Sequence, residues 1–382
     1  MPAPKAAARP ESTVNIFLDY CGTCNGGCPT CVLTSGERAA GVPLMSAAAA
    51  EAALADMAAS LPEADKLVLG IGRANNLVLP ESSMRDHLRI AAAACAAARF
   101  NSGAAEITTS LVGKLEPQIE RAKRITDAFA AAGLPIEARF AVVGNTTLSS
   151  APYWDNLDRF FRAMEEMRGG GEKDGNGDVL ALNVTVSHLP EMGVIEGLVS
   201  AYRFPVNIVW VPMFDPGIGE EASLARFGDW LAEFVAMAVR VGVDANVVNW
   251  TRQAAAFRPT SVEQVAEHVA ESTRRLFYVA PDGSWHHGFA SVLSDMDPVR
   301  FDPLSTSVVD GHRVVVADPK RDLAALLRNK SCTACPHFFL CGMTGVYKHA
   351  LLALRRYPNG TRTCPCGMRG VFEAATDWSE TP

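Results

Sequence analysis

No run of residues in this sequence is apolar for long enough to cross a bilayer, and the first ten residues, Met1 to Pro10, lack the apolar core of a signal peptide. Both absences count against a membrane-spanning or exported chain. The expectation is a cytoplasmic protein, in a compartment that keeps thiols reduced. Basic charge is scarce as well: 35 Lys and Arg against 42 Asp and Glu leave a formal net charge of −7 and an isoelectric point near 5.7. That balance gives no support to sequence-independent binding of a phosphate backbone, so nucleic acid is an unfavoured partner. No internal repeat is visible at any period. What remains is ordinary globular composition, 382 residues with 48% hydrophobic and 20% charged, enough for one large α/β domain and a smaller one.

Cysteine is the exception. Cys21, Cys24, Cys28 and Cys31 fall within eleven residues, and Cys332, Cys335, Cys341, Cys364 and Cys366 within thirty-five, while Cys95 stands alone in an alanine-rich run. Clusters at two- and three-residue spacing in a reducing compartment point to metal sites rather than disulfides. Cys95 reads as a small buried hydrophobe.

Short β-rich runs alternate with helical patterns. Strands are expected at 14–18, 66–69, 106–111, 137–143, 179–186 and 206–211, with helices near 46–60, 82–99, 117–131, 153–167, 191–202 and 222–241. Ser46 is the expected N-cap of the first helix, and Gly133 with Pro135 a stop signal. Such alternation predicts a parallel sheet with helices outside it, an α/β fold in the form of a partial (β/α)6 barrel open on one side. A polar, glycine-rich connector occupies 169–177. Beyond about residue 260 the pattern changes: a helix at 261–274, a strand at 276–280, the turn Pro281-Asp282-Gly283 and a second strand through His286 and His287, a strong hairpin signal. The division expected is a flexible arm at 1–13, the partial barrel at 14–259 and a small C-terminal domain at 260–382.

The first cysteine group follows the first strand directly and reads Cys24-Asn25-Gly26-Gly27-Cys28-Pro29-Thr30-Cys31, a C-x3-C-x2-C spacing. A [4Fe–4S] cluster takes up to four thiolates, so three protein ligands leave one iron open to a small molecule. Gly26 and Gly27 let the loop curl until three sulfurs converge. A run of four starting at Cys21 can instead fill a tetrahedral zinc site. The placement after a strand and ahead of a βα array favours the cluster, leaving Cys21 spare, as a structural residue or a hydrogen-atom donor near the site.

This loop resembles the signature of the radical S-adenosylmethionine (SAM) superfamily. The resemblance implies that Cys24, Cys28 and Cys31 hold a cluster whose open iron binds SAM. Reductive cleavage of SAM then gives a 5′-deoxyadenosyl radical that abstracts hydrogen from a substrate, with a flavodoxin- or ferredoxin-type protein as electron donor. Thr30 departs from the aromatic residue often found before the last cysteine. The family's Gly-Gly-Glu-like turn after the second strand has its counterpart in Gly70-Ile71-Gly72-Arg73, where no acid follows the glycines, though the carbonyls of Gly70 and Gly72 remain available to the SAM ammonium. The same residues mimic a dinucleotide fingerprint, but Asn76-Leu77-Val78-Leu79-Pro80 follows instead of a helix, so that reading is rejected. Thr109, Ser110, Asn145 and Ser187 stand at later strand ends, where barrel enzymes gather their chemistry, and are candidate cofactor contacts. His188 is a weak candidate acid–base group, with a satisfied structural histidine as the plainer account.

The second group reads C-x2-C-x5-C through Cys332, Cys335 and Cys341, then Cys364-Pro365-Cys366. It resembles the auxiliary-cluster extension known as SPASM, or its shortened twitch relative. The hairpin region contains no cysteine and Gly345 occupies a position where that extension places one, which implies a single auxiliary [4Fe–4S] cluster held by Cys332, Cys335, Cys341 and either Cys364 or Cys366, with Cys364 favoured on spacing. A structural zinc is the alternative. The expected function is a radical SAM enzyme acting on a ribosomally made peptide. Oxidation or rearrangement of a small metabolite is the alternative within the class, and a non-catalytic zinc or iron–sulfur protein the alternative outside it. No separate peptide-leader-binding domain is expected ahead of Val14.

Overall fold

The computed structural model describes residues 12–24, 39–72, 74–148, 151–169, 177–211, 217–249, 260–273, 275–287, 306–309, 312–315, 330–339 and 369–372. Its centre is a sheet of parallel strands with a helix after each: β1 (Thr13–Leu18), α1 (Ala47–Met57), β2 (Lys66–Ile71), α2 (Ser82–Ala97), β3 (Ser102–Thr109), α3 (Leu115–Ala132), β4 (Glu137–Asn145), α4 (Ala151–Met167), β5 (Val179–Thr185), α5 (Met192–Tyr202), β6 (Val206–Val211) and α6 (Glu220–Val241). These six strands pair in sequence order. The chain then adds α7 (Val262–Thr273), β7 (Leu276–Val279) and β8 (Trp285–His287). β7 runs parallel to β1 on its free side and β8 returns antiparallel, so the sheet has eight strands in the order β6-β5-β4-β3-β2-β1-β7-β8. The architecture is the expected α/β half-barrel, with a seventh parallel strand supplied from beyond residue 260. A separate pair, β9 (Thr306–Val309) and β10 (His312–Val315), is antiparallel, and a short helix α8 (Lys330–Thr333) carries Cys332.

The two faces of the sheet differ as their residues dictate. Alternate side chains point to opposite faces of a strand. Val14, Ile16, Leu18, Leu67, Leu69, Ile71, Ile107, Phe140, Val142, Leu180 and Leu182 face the helices and are at most 2% exposed. The helices answer with apolar residues at three- and four-residue spacing, such as Ile119, Ala122, Ile125 and Phe129 on α3. Each large side chain so buried stabilises the fold by about 1.5–3 kcal/mol. On the inner face Asn15, Phe17, Glu106, Thr108, Ala141, Val143, Ala181 and Asn183 are only partly buried, which is what an open concave wall requires.

Local signals read from the sequence recur in the fold. Ser46 Oγ accepts the Ala49 N–H at 3.1 Å as the N-cap of α1, and Gly133 closes α3 at φ 63°. Pro117 lies in the first turn of α3, where its missing N–H costs nothing. The 280–284 turn makes the expected hairpin, with Gly283 at φ 85° and the Ala280 N–H donating to Ser284 at 2.8 Å. One boundary needs correction. β3 was expected at 106–111 but begins at Ser102 and ends at Thr109, because Gly103 sits where a Cβ would lie 2.6 Å from the Leu67 carbonyl oxygen. Small residues there serve close packing between buried strands, which outweighs their weak strand propensity. Among the described residues, no helix is long and apolar enough to cross a membrane.

Candidate functional site

The C-terminal ends of β1, β2 and β3 meet the cysteine loop. Cys24 is partly buried, and its Sγ lies 3.4 Å from Ser110 Oγ at the end of β3. Cys28 and Cys31 lie outside the described residues, as do Cys341, Cys364, Cys366 and most of the 169–177 connector. Among the described residues no three metal-ligating side chains converge. Cys21 is fully buried in the hydrophobic core, its Sγ 3.8 Å from the Thr23 carbonyl oxygen. Burial, with smaller contributions from Cys24 and Asp19, pushes its thiol up to about 12. Cys21 is thus a neutral thiol packed inside. Cys95, on α2, is half-buried, and burial raises its thiol to about 11.

A network of amides and hydroxyls braces this corner. The Asn75 N–H donates to the Thr23 carbonyl at 3.0 Å, one residue before Cys24. Asn75 Oδ1 accepts from Thr109 Oγ1 at 2.7 Å and from the Leu77 N–H at 3.2 Å, while its Nδ2 donates to Gln118 Oε1 at 2.8 Å. Gln118 in turn donates to the carbonyls of Val112 and Lys114. Asn76 Nδ2 donates to the carbonyls of Ile71 and Thr108, both at 2.9 Å, so its Oδ1 is left to accept from His87 Nε2 at 3.1 Å. His87 therefore carries a proton on Nε2. Burial, then the Arg121 charge, lowers it from 6.5 to about 4, and its Nδ1 has no partner.

The turn that replaces a Gly-Gly-Glu sequence is shaped by the same contacts. Gly72 adopts φ 85°, and a Cβ there would lie 2.5 Å from Asn76 Nδ2 and 2.9 Å from Cys21 Cβ. Its carbonyl accepts from Thr108 Oγ1 at 2.7 Å. Gly70 has a different reason to be glycine: it lies on the inner wall, where a Cβ would sit 2.3 Å from the Phe17 ring.

The other expected residues make side-chain contacts closer to home along the chain. Asn145 Oδ1 accepts from the N–H and hydroxyl of Thr147, capping the turn after β4. Ser187 Oγ is 2.8 Å from His188 Nδ1 on an exposed corner after β5. Thr185, at the end of β5, is fully buried with a hydroxyl that has no partner. In the C-terminal group, Cys332 is buried and Cys335 partly so, and the Cys335 N–H donates to the Cys332 carbonyl at 3.1 Å.

Several residues here escaped the sequence reading. Asp19, just past β1, accepts a hydrogen bond from the Tyr278 phenol at 2.5 Å, which ties β7 to the base of the cysteine loop. Glu106 and Arg139 form a buried ion pair across neighbouring strands, with 13% and 9% of their side chains exposed. Strand alternation would have placed both on the inner wall, but only with the register of β3 and β4 in hand. The signal for Asn75 and Asn76 was a polar pair in an otherwise apolar stretch.

No protein-family model matches the chain, and no curated protein does. Its fold is similar to solved structures of anSMEcpe. Native anSMEcpe with bound AdoMet superposes with a TM-score of 0.53 at 9% identity, over 96% of this chain and 100% of that one. Native anSMEcpe with bound AdoMet and the Cp18Cys peptide gives 0.53 at 10%, over 96% and 97%. With the Kp18Cys peptide the values are 0.52 and 10%, over 97% and 100%. At such identity the likeness is one of fold.

Proposed function

We propose that this chain is a radical SAM enzyme that modifies a peptide. The observation that carries the reading is the position of the C-x3-C-x2-C loop: it starts at the C-terminal end of the first strand of a half-barrel, with Cys24 at the mouth of an open inner wall. Cys24, Cys28 and Cys31 would hold a [4Fe–4S] cluster. The donor set fits it, because Cys21, the fourth thiol a zinc site would need, is buried in the hydrophobic core. When bound, cluster and SAM supply one-electron cleavage of a carbon–sulfur bond and a radical that abstracts hydrogen.

This chain's own residues do the placing. Asn75 holds Thr23, and with it the approach to Cys24. Thr108 fixes the Gly72 carbonyl, whose second lone pair is available to an ammonium group. Asn15, Asn183 and Asn207 stand on the inner wall at or near solvent and offer amides that match a peptide backbone. The fold shared with structures that contain AdoMet and peptides supports the same substrate class. Cys332, Cys335, Cys341 and Cys364 or Cys366 would hold one auxiliary cluster, a flavodoxin- or ferredoxin-type protein would supply the electron, and the cytoplasm would be the place of action.

The test is anaerobic purification followed by iron and sulfide analysis and incubation with dithionite and SAM. 5′-Deoxyadenosine should form in the wild type and not in a variant with Cys24, Cys28 and Cys31 all replaced by alanine. Zinc in place of iron, or product formed by the triple variant, overturns the reading.

A further inference from the structure

We infer that Ser110 donates a hydrogen bond to the Cys24 sulfur and thereby raises the reduction potential of the cluster that Cys24 would hold; this rests on the function proposed above. The two side chains come from separate strand ends, 86 positions apart, and stand 3.4 Å apart at their tips. A ligating thiolate has no proton to give, so once Cys24 binds iron the serine hydroxyl is the donor.

The contact is fixed from both sides. Asn75 binds the Thr23 carbonyl through its backbone and the Thr109 hydroxyl through its side chain, so a single residue pins the neighbour of each partner. The Tyr153 phenol reaches from α4 to the Ser110 carbonyl at 3.3 Å and the Val143 carbonyl at 2.7 Å. Immediately after Ser110 the chain turns through Leu111, fully buried at φ 52°, a left-handed conformation that costs a branched residue of order 1 kcal/mol or more. Strain of that kind persists where surrounding contacts over-determine the backbone, and here they aim one hydroxyl at one sulfur.

Hydrogen bonds to the sulfurs are among the factors that set iron–sulfur potentials. Taking up one electron places more negative charge on the cluster and its thiolates, and a donor at the sulfur stabilises that reduced state more than the oxidised one. No bond forms or breaks in this step. The electron comes from a low-potential one-electron reductant and stays on the cluster.

The experiment uses the full chain, reconstituted with iron and sulfide without oxygen and titrated with dithionite in the absence of SAM, following the reduced cluster by electron paramagnetic resonance. Ser110→Ala should lower the reduced-to-oxidised ratio at fixed potential roughly tenfold, a midpoint about 59 mV more negative for one electron. Ser110→Thr, which keeps the hydroxyl, should return the ratio towards wild type. Should Ser110→Ala lose its iron, Ser110→Thr against Ser110→Val gives the same comparison at matched volume. Equal midpoints within either pair overturn the role of Ser110 while leaving the proposed function standing. A wild-type protein that takes up no iron removes both.

Discussion

The two halves of the barrel mouth are built differently. At the ends of β2 and β3 the Asn75 side chain bonds the Thr109 hydroxyl and the Gln118 amide, and the amides of Asn76 and Gln118 donate to the backbone carbonyls of Ile71, Thr108, Val112 and Lys114. At the ends of β4 and β5, the Asn145 side chain bonds two residues ahead, the Ser187 hydroxyl bonds its own neighbour and the buried Thr185 hydroxyl has no partner, while Thr146 Oγ1 accepts the Thr185 N–H at 2.8 Å between the two strand ends. A buried side-chain network holds one geometry, whereas the short-range bond on the exposed Ser187–His188 corner can be exchanged for a bond to a ligand. The difference predicts positioning by the first half and adaptation by the second to what enters the mouth.

That comparison is sharpest where the halves meet. The Glu106–Arg139 pair spans β3 and β4 inside the barrel, nearly out of water. Arg139→Met would leave Glu106 buried without its counter-charge, and breaking such a pair from one side costs about 3–5 kcal/mol. Adding Glu106→Gln should recover most of that loss, measured by urea unfolding. If the single variant is as stable as wild type, the wall at this point is wetter and looser than described.

Next in size is Asn75→Ala. It leaves Gln118 Oε1, the Thr109 hydroxyl and the Leu77 N–H without their partner, at about 1–3 kcal/mol for each group that stays buried, partly relieved by rearrangement to about 2–4 kcal/mol in all. Asn145→Ala removes the side-chain cap of a local turn, a loss that should cost about 1 kcal/mol. Equal losses for the two would erase the contrast between the halves.

The network also makes a pH prediction. His87 is neutral in the fold and lowered to about 4 against 6.5 in the unfolded chain. Between those values the unfolded state binds the extra proton, so stability rises with pH across that window and is lost as pH falls through it, by up to about 3 kcal/mol. His87→Gln keeps a donor for Asn76 and should flatten the profile. An unchanged slope between pH 4 and 6.5 would place the titration elsewhere.

How much of this could be read in advance follows the range of the interaction. Period-two alternation and glycine stops made the half-barrel legible, since each is a local property of a strand or helix. The cysteine spacing is legible because three cysteines lie within eight residues, of which the described residues include Cys24. β7 was legible as a strand but not as the neighbour of β1, a contact between residues more than 250 positions apart. Thr109 and Ser110 are both expected as cofactor contacts, and strand alternation sends their side chains to opposite faces: Thr109 turns outward to Asn75, and Ser110 reaches Cys24. The parity rule was available, but the true end of β3 was not, because Gly103, Ala104 and Ala105 concealed where that strand begins.

The smallest expected effect tests the adaptable half directly. Ser187→Ala removes a hydroxyl 2.8 Å from His188 Nδ1 on an exposed corner, where water replaces the lost bond, so stability should change by no more than about 0.5 kcal/mol. If this half of the mouth meets the substrate, the same substitution should still raise the KM for a peptide several-fold, since a corner that is silent in the free protein contributes only when something is bound to it. A change in stability with no change in KM would move Ser187 into the scaffold and reverse the division drawn between the two halves.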